Sequence, residues 1–373
     1  MALGATPNGI PMSEAPARHG RQTELRRAHL PPRTGGDRRV AGTPYGTNGR
    51  VSRTFRPWGP HLYPDVLNVE GRAGPGPAGA VQEGATMKAI LVGTDGSENS
   101  VCAVRWAAEE AGRRALPLRI LHAVAPWLYD TPVDPRFASI RTWLLAQGGE
   151  VLDQALAAAR EHAGVEADGE LVPGPASRTL LERAADAVML VLGGRGTGAA
   201  AGLLLGSTTL QVVAHAPVPV VVVRSLDPVV HGEVVVGVDT AATGEPAIGL
   251  AFEEAALRAA RLRVVHAWWH PASAAPGEMR PLVYDPQVLA EEALRRVEEV
   301  LPVWREKFPA VEVVPEATHG RAARVLAEAS ARADLLVVGT RGRGGFTGLL
   351  LGSVSHALLH RAKCPLAVVP AAA

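Results

Sequence analysis

Lys88-Ala89-Ile90-Leu91-Val92-Gly93-Thr94-Asp95 recurs as Glu233-Val234-Val235-Val236-Gly237-Val238-Asp239. Each is an apolar run that closes on glycine, one intervening residue and aspartate. The text that follows recurs as well. Ala103-Val104-Arg105-Trp106-Ala107-Ala108-Glu109-Glu110-Ala111 matches Ala247-Ile248-Gly249-Leu250-Ala251-Phe252-Glu253-Glu254-Ala255, and Leu121-His122-Ala123 matches Val265-His266-Ala267. The separation is 144 positions at Asp95/Asp239 and His122/His266, and 146 at Gly193/Gly339, Gly206/Gly352 and Pro219/Pro365. A near-constant offset at separated points indicates duplication of a whole domain, with a two-residue insertion between the anchors.

Within each copy, apolar runs alternate with helical patterns. Strands are predicted near 88–94, 118–124, 167–172, 188–193 and 219–224, and again near 233–239, 262–268, 311–316, 335–340 and 366–370. Helices of the first copy are predicted near 98–115, 143–162, 176–186 and 207–215. Runs such as Val220-Val221-Val222-Val223 and Leu335-Leu336-Val337-Val338 are apolar at every position, which suits parallel strands buried on both faces. Strand–helix alternation of this kind implies α/β domains, each a doubly wound parallel sheet with right-handed crossovers and helices on both faces. Ligands of such sheets sit at the carboxyl ends of the strands, where the winding reverses.

The chemistry-bearing residues fall at those ends. After the fourth strand the first copy reads Leu192-Gly193-Gly194-Arg195-Gly196-Thr197-Gly198, and the second reads Val338-Gly339-Thr340-Arg341-Gly342-Arg343-Gly344-Gly345. Gly206-Ser207-Thr208 and Gly352-Ser353-Val354 follow, each leading into a helix. The shared spacing is G-x-x-G, nine residues, then G-S. Glycines allow tight turns and close backbone approach. The freed amides can point at anionic oxygens, and a serine opening a helix adds a hydroxyl and the helix dipole. Arg195 and Arg341 would add charge. No G-K-[ST] follows, so this is not a Walker A loop. One G-x-x-G is as compatible with a plain strand-to-helix turn; the whole pattern in both copies favours a phosphate cradle.

Asp95 and Asp239 end the first strand of each copy. Either could accept hydrogen bonds from a ribose or base edge, or serve as an N-cap for the next helix. His122 and His266 recur, but no partner acid or base lies at a readable distance, and a histidine bonded to backbone is the expected role. Arg343-Gly344-Gly345 is a lone RGG unit within a folded domain and does not indicate RNA binding. Trp268-Trp269 follows the second strand of the second copy and could wall a pocket or an interface.

Composition bounds the rest. Net charge is +1 and aromatics are 4%, which leaves no electrostatic or stacking case for nucleic acid or an acidic membrane surface. Cys102 and Cys364 occupy unrelated points of the two copies and read as free, partly buried thiols of a reducing cytoplasm. No His/Cys cluster has metal-ligand spacing. No apolar run is long enough to cross a bilayer, and the N-terminus lacks a secretory pattern. Residues 1–86 are rich in Pro, Gly and Arg, without sustained periodicity, and are expected to be disordered. They read as an over-extended start preceding Met87, or as a basic tethering arm. The expected organisation is therefore 1–86, then domains at 87–226 and 231–371.

Val92-Gly93-Thr94-Asp95-Gly96-Ser97, Leu121-His122-Ala123, the G-x-x-G-x9-G-S pattern and a proline-led last strand together resemble the universal stress protein superfamily, in its tandem two-domain, ATP-binding form. The resemblance covers everything after Met87 and is closest in the second copy, including Leu351-Gly352-Ser353-Val354-Ser355 and Cys364-Pro365. It implies a five-stranded Rossmann-like sheet of order 3-2-1-4-5 in each domain, pairing of the domains through their last strands, and a homodimer of chains. It also implies ATP, with or without Mg, or another adenine nucleotide as ligand. Gly93 and Gly237 would then precede the Asp95 and Asp239 that hold the ribose or adenine side. Ala123 and Ala267 would offer backbone to adenine. Gly193, Gly194, Arg195, Gly196, Thr197, Gly206, Ser207 and Thr208 would surround the phosphates, with Gly339, Thr340, Arg341, Gly342, Arg343, Gly344, Gly352, Ser353 and Val354 as counterparts.

Two departures set the copies apart. Thr240-Ala241 replaces Gly96-Ser97 after the aspartate, and the first copy lacks Arg343 and Phe346, so unequal sites are expected with the second better formed. The functional expectation is an ATP-binding regulator of stress or dormancy, acting through nucleotide-linked conformation or partner choice. A slow ATPase or other adenylate-handling enzyme is the second reading, and a non-nucleotide scaffold the third. The absence of an evident general base beside the loop favours binding over turnover.

Overall fold

The computed structural model describes residues 88–130, 134, 136, 138–196, 205–226, 229–239, 245–269, 285–340 and 351–371. The first copy runs β1 (Ala89–Gly93), α1 (Glu98–Arg114), β2 (Leu118–Val124), a short α2 (Trp127–Asp130), α3 (Ala138–Ala163), β3 (Ala167–Pro173), α4 (Ala176–Ala184), β4 (Ala187–Gly193), α5 (Ser207–His215) and β5 (Val220–Val223). The second runs β6 (Glu233–Gly237), α6 (Glu245–Arg258), β7 (Arg261–Trp268), α7 (Pro286–Glu299), α8 (Pro302–Lys307), β8 (Val313–His319), α9 (Ala322–Ala329), a 3-10 turn (Ser330–Arg332), β9 (Leu335–Gly339), α10 (Ser353–Arg361) and β10 (Leu366–Val369).

The strands form one ten-stranded sheet of order β3-β2-β1-β4-β5-β10-β9-β6-β7-β8. Each half is parallel and has the expected 3-2-1-4-5 order. The halves join where β5 and β10 pair antiparallel, in the register Val222↔Leu366, Val221↔Ala367 and Val220↔Val368. Alternation along each strand divides the core. Ile90 and Val92 of β1 face α1 and α3, while Leu91 faces α4 and α5. The second copy repeats this with Val234 and Val236 against Val235. The continuous apolar runs are thus strands with a helical layer on each face.

Two boundaries move from the sequence expectation. Val311 is buried but precedes the ladder, because its amide bonds to Phe308 O (3.1 Å) in the turn after α8. The strand it was expected to start is β8, which continues instead through the more polar Glu316–His319. In the first copy α3 begins at Ala138, five residues ahead of the expected start.

α1 is capped at both ends. Ser97 accepts a hydrogen bond from Ser100 N, and Ala115 closes the helix in the left-handed region at φ 51°. Ala259, at the same place in the second copy, also has positive φ (48°). Left-handed backbone is strained for alanine, so the repeated strain marks a turn geometry kept in both copies.

Across the seam, α1 and α6 share a buried ring of four charges. Arg114 donates to Glu110 (2.5 Å) and to Glu254 (2.5 Å). Arg258 donates to Glu110 (2.8 Å) and to Glu254 on its own helix. Burial opposes ionisation of Glu110, but the Arg258 and Arg114 guanidiniums outweigh it and hold its pKa below the ordinary value. The Arg258 guanidinium also lies over the Trp106 ring, 5.6 Å from its centroid. A cation–π contact helps to replace hydration lost on burial.

Candidate functional site

The carboxyl ends of β1 and β4 diverge to α1 and α5, and a cavity of about 280 Å3 opens between them in the first copy. Close backbone approach builds its floor. A Cβ on Gly193 would lie 2.9 Å from both Asn99 C and Ser100 N, so the end of β4 touches the first turn of α1. A Cβ on Gly196 would lie 2.3 Å from Asp95 Oδ2, so the loop after β4 runs against the aspartate after β1. Gly206 N donates to Gly194 O (2.9 Å), which draws the start of α5 back onto the same loop.

The turn after β1 is held by short polar contacts. Asp95 Oδ1 accepts from Ser97 N (3.1 Å), and Gly96 N donates to Thr94 Oγ1 (3.3 Å). Gly96 has φ +78°, a conformation glycine adopts without steric cost. The Thr94 and Ser100 hydroxyls pair at 3.1 Å, and Ser97 Oγ donates to Arg195 O (3.2 Å). The N-cap of α1 is therefore Ser97, and Asp95 makes the turn two residues before it.

The cavity has a mixed lining. Leu121, Ala123, Ala176, Leu180, Leu192 and Leu205 are its apolar members. Asp95, Ser100, Thr179, Arg195, Ser207 and Thr208 are polar ones, with Gly93, Gly193, Gly196 and Gly206 beside them. Gly206 caps α5 without a side-chain hydrogen bond, and the amides of the first turn of a helix lack intrahelical acceptors. A polar edge of such amides beside Arg195 favours an anionic group. Arg224, at the end of β5, has its pKa lowered by burial and by the nearby Arg195. Its Nη1 donates to His360 O (2.7 Å), tying this corner to α10 of the second copy.

Of the first-copy candidates, Gly93, Asp95, Ala123, Gly193, Arg195, Gly196, Gly206, Ser207 and Thr208 lie on the cavity. Gly194 has a different position. Its amide donates to Val223 O (2.9 Å), and a Cβ there would lie 2.4 Å from Arg224 Cγ. Gly194 thus makes room for an arginine. Thr197 lies outside the described residues.

In the second copy, Gly237 ends β6, Asp239 follows two residues later, and Ala267 lies in β7. Gly339 ends β9. Thr340 N donates to Val369 O (2.8 Å), and Gly352 N donates to Thr340 O (2.8 Å), repeating the Gly194 and Gly206 bonds. Ser353 and Val354 open α10. Arg341, Gly342, Arg343 and Gly344 lie outside the described residues, as do Thr240, Ala241 and Phe346.

Sequence reading missed several lining residues. Ser100 and Thr179 reach the cavity from α1 and α4. Thr209 Oγ1 donates to Gly193 O (2.9 Å), and its counterpart Ser355 Oγ donates to Thr340 O (3.0 Å), one residue further along the loop. A hydroxyl two positions after each G-S was a readable signal, since it recurs at the 146-residue offset. The histidines are structural. His122 Nδ1 donates to Thr94 O (2.8 Å) and His266 Nδ1 to Val238 O (2.9 Å), pinning the second strand of each copy to the end of the first. Trp268 meets His319 edge-on at 4.7 Å between ring centroids, and Arg321 lies over Trp269, so these indoles pack on β8 and the start of α9.

Known proteins agree with this architecture. The profile of the Universal stress protein family matches residues 86–224 and again 232–370. Universal stress protein Rv2005c of Mycobacterium tuberculosis is 37% identical over 287 residues, covering 75% of this chain and 96% of the relative. Universal stress protein Rv2623 of the same organism is 37% identical over 293 residues, covering 75% and 95%. A crystal structure of a universal stress protein from Archaeoglobus fulgidus superposes with a TM-score of 0.56 at 20% identity, covering 76% of this chain and 98% of that one, and shares the fold. No helix among the described residues is long and apolar enough to cross a membrane. This chain belongs to the universal stress protein family and carries two copies of its domain in tandem.

Proposed function

We propose that the first-copy cavity binds an adenine nucleotide, ATP above all, that the second copy holds a counterpart site, and that the chain acts as a nucleotide-dependent regulator. The observation that carries this reading is the convergence of Gly193, Gly196, Gly206 and the α5 N-terminus on a cavity that also has apolar lining residues. The apolar lining residues, Leu121 and Ala123 among them, suit a base. The amides at Ser207 and Thr208, with Arg195, suit phosphates. Asp95, on the same cavity, would accept hydrogen bonds from a ribose. The volume is near the low end of the ~300–1,000 Å3 typical of small-molecule sites, which suits a nucleoside seated with its phosphates toward the mouth.

Regulation rather than turnover follows from the chemistry of the lining. Asp95 is the one carboxylate among the described lining residues, and its Oδ1 already holds the turn through Ser97 N. A base that must receive a proton from water is ill served by a carboxylate engaged in shaping the loop. Mg, where it accompanies ATP, would be held mainly by the phosphates, since this ion keeps several waters and borrows few protein ligands.

Thermal denaturation of the full chain in ATP, GTP or pyrophosphate tests the reading. ATP at a hundred times its dissociation constant should stabilise the chain by about 2.7 kcal/mol. GTP and pyrophosphate should do much less. No shift with ATP, or an equal shift with GTP, would contradict the assignment to adenine nucleotides.

A further inference from the structure

In the second copy, β7, β8, α9, the 3-10 turn and the end of α10 line an open groove of about 880 Å3 that reaches the amino ends of β9 and β10. Five cationic side chains line it, Arg263, Arg324, Arg332, Arg361 and Lys363, against two carboxylates, Glu316 and Glu328. The carboxylates are already engaged. Glu316 pairs with Arg263 (3.2 Å) and Glu328 with Arg324 (2.8 Å). Arg332, Arg361 and Lys363 are exposed and form no ion pair among the described residues. Arg361 lies in the last turn of α10, where the helix dipole accounts for a cation, but Arg332 closes the 3-10 turn and Lys363 lies beyond α10.

Arg263 is anchored on the groove wall, where its guanidinium donates to Glu233 (2.7 Å) and to Ala329 O (3.4 Å). The first copy provides a comparison. At the equivalent place Asp186 stands for Arg332, His215 for Arg361 and Pro217 for Lys363. Arg183 there is paired with Glu170 (2.8 Å), and the corresponding cavity is about 40 Å3. The basic groove is therefore a property of the second copy and not of the shared fold.

We infer that this groove docks an acidic peptide segment of a partner protein. It is far larger than a single inorganic anion needs, and cationic side chains outnumber carboxylates on its lining. Its lining contains no Trp, Tyr or Phe, the aromatic platforms on which single-stranded nucleic acid stacks most strongly. The chain's own first 86 residues carry an excess of arginine and have the wrong sign to fill it. Arginine forks bind peptide carboxylates in pairs, and a cationic rim speeds the encounter with an acidic segment.

Fluorescence anisotropy with a labelled Asp/Glu-rich peptide and the full chain tests this. Saturable binding that weakens with added salt is expected. The double variant Arg332→Asp/Lys363→Glu should bind about tenfold more weakly or worse, whereas Arg332→Lys should largely retain affinity. Unchanged melting temperatures of the variants would exclude loss of fold. These residues lie outside the nucleotide cavity, so the ATP-induced stabilisation reports separately on that site. Absence of saturable binding, undiminished binding by the double variant, tighter binding of a single-stranded oligonucleotide of equal charge, or full displacement by inorganic phosphate alone would each overturn the inference.

Discussion

The two copies agree where strands and helices pack and differ where strands end. In both, a histidine on the second strand bonds the carbonyl after the first, a glycine amide at the start of a helix bonds the loop after the fourth strand, and an alanine in the left-handed region closes the first helix. In both, a Glu and an Arg four residues later enter the ring across the seam. The ends diverge. Thr94 with its Ser100 partner is matched by Val238, Gly194 by Thr340, and Arg224 by Pro370. At the far ends, Asp186 is matched by Arg332. Duplication has kept the scaffold and left both rims free to specialise, so binding differences between the halves are to be sought in loops rather than in the core.

Breaking the ring should have the largest effect. Glu110→Ala leaves two buried guanidiniums with one carboxylate, and removing one partner of a buried pair costs about 3–5 kcal/mol. Chemical denaturation would show this. Apolar replacement of all four members should cost much less, because no charge is stranded.

Gly193→Ala comes next. Its Cβ would meet the backbone of α1 at 2.9 Å, which has little freedom to yield. A loss of about 1–3 kcal/mol in denaturant titrations is expected, together with loss of nucleotide from the first copy. Thr94→Val makes the first copy resemble the second at the turn and removes the 3.1 Å hydroxyl pair, for about 1 kcal/mol. Ala115→Gly and Ala259→Gly should each act in the opposite sense. Relief of left-handed strain at a helix C-terminus should raise stability by about 1 kcal/mol in the same titrations.

The smallest effect concerns Cys364. Burial pushes its thiol pKa up to about 12. The folded thiol therefore keeps its proton where the unfolded thiol, with pKa ~8.5, loses it. Its contribution to stability is present below that value and fades as pH rises toward the folded one. Near neutral pH, iodoacetamide should leave Cys364 unmodified in the native chain and label it once denaturant is added, as read by peptide mass mapping.

Much of this was legible in the sequence for identifiable reasons. Strands buried on both faces leave continuous apolar runs, and duplication displayed each run twice. The glycines at 93, 193, 196 and 206 were readable because each recurs in the second copy, and at Gly193 the backbone of α1 leaves no room for a Cβ. The ring was only half visible. Glu110/Arg114 and Glu254/Arg258 are helix neighbours at i,i+4, but nothing local states that the two pairs exchange partners across the seam. Ser100, Thr179 and the basic groove were hidden for a similar reason: each joins residues that only the crossovers bring together. The N-cap at Ser97 was overlooked because Asp95, two residues earlier, is an equally good capping residue by type.

The most direct test of the account is equilibrium dialysis of ATP against the wild-type chain, Ser207→Asp and Ser353→Asp. An aspartate in the first turn of a helix favours the dipole, so the fold should hold, but it places a carboxylate where phosphates would sit. The account predicts two sites of unequal affinity in the wild-type chain, with each variant losing one of them and the double variant losing both. No saturable binding by the wild-type chain, or undiminished binding by the double variant, would contradict it.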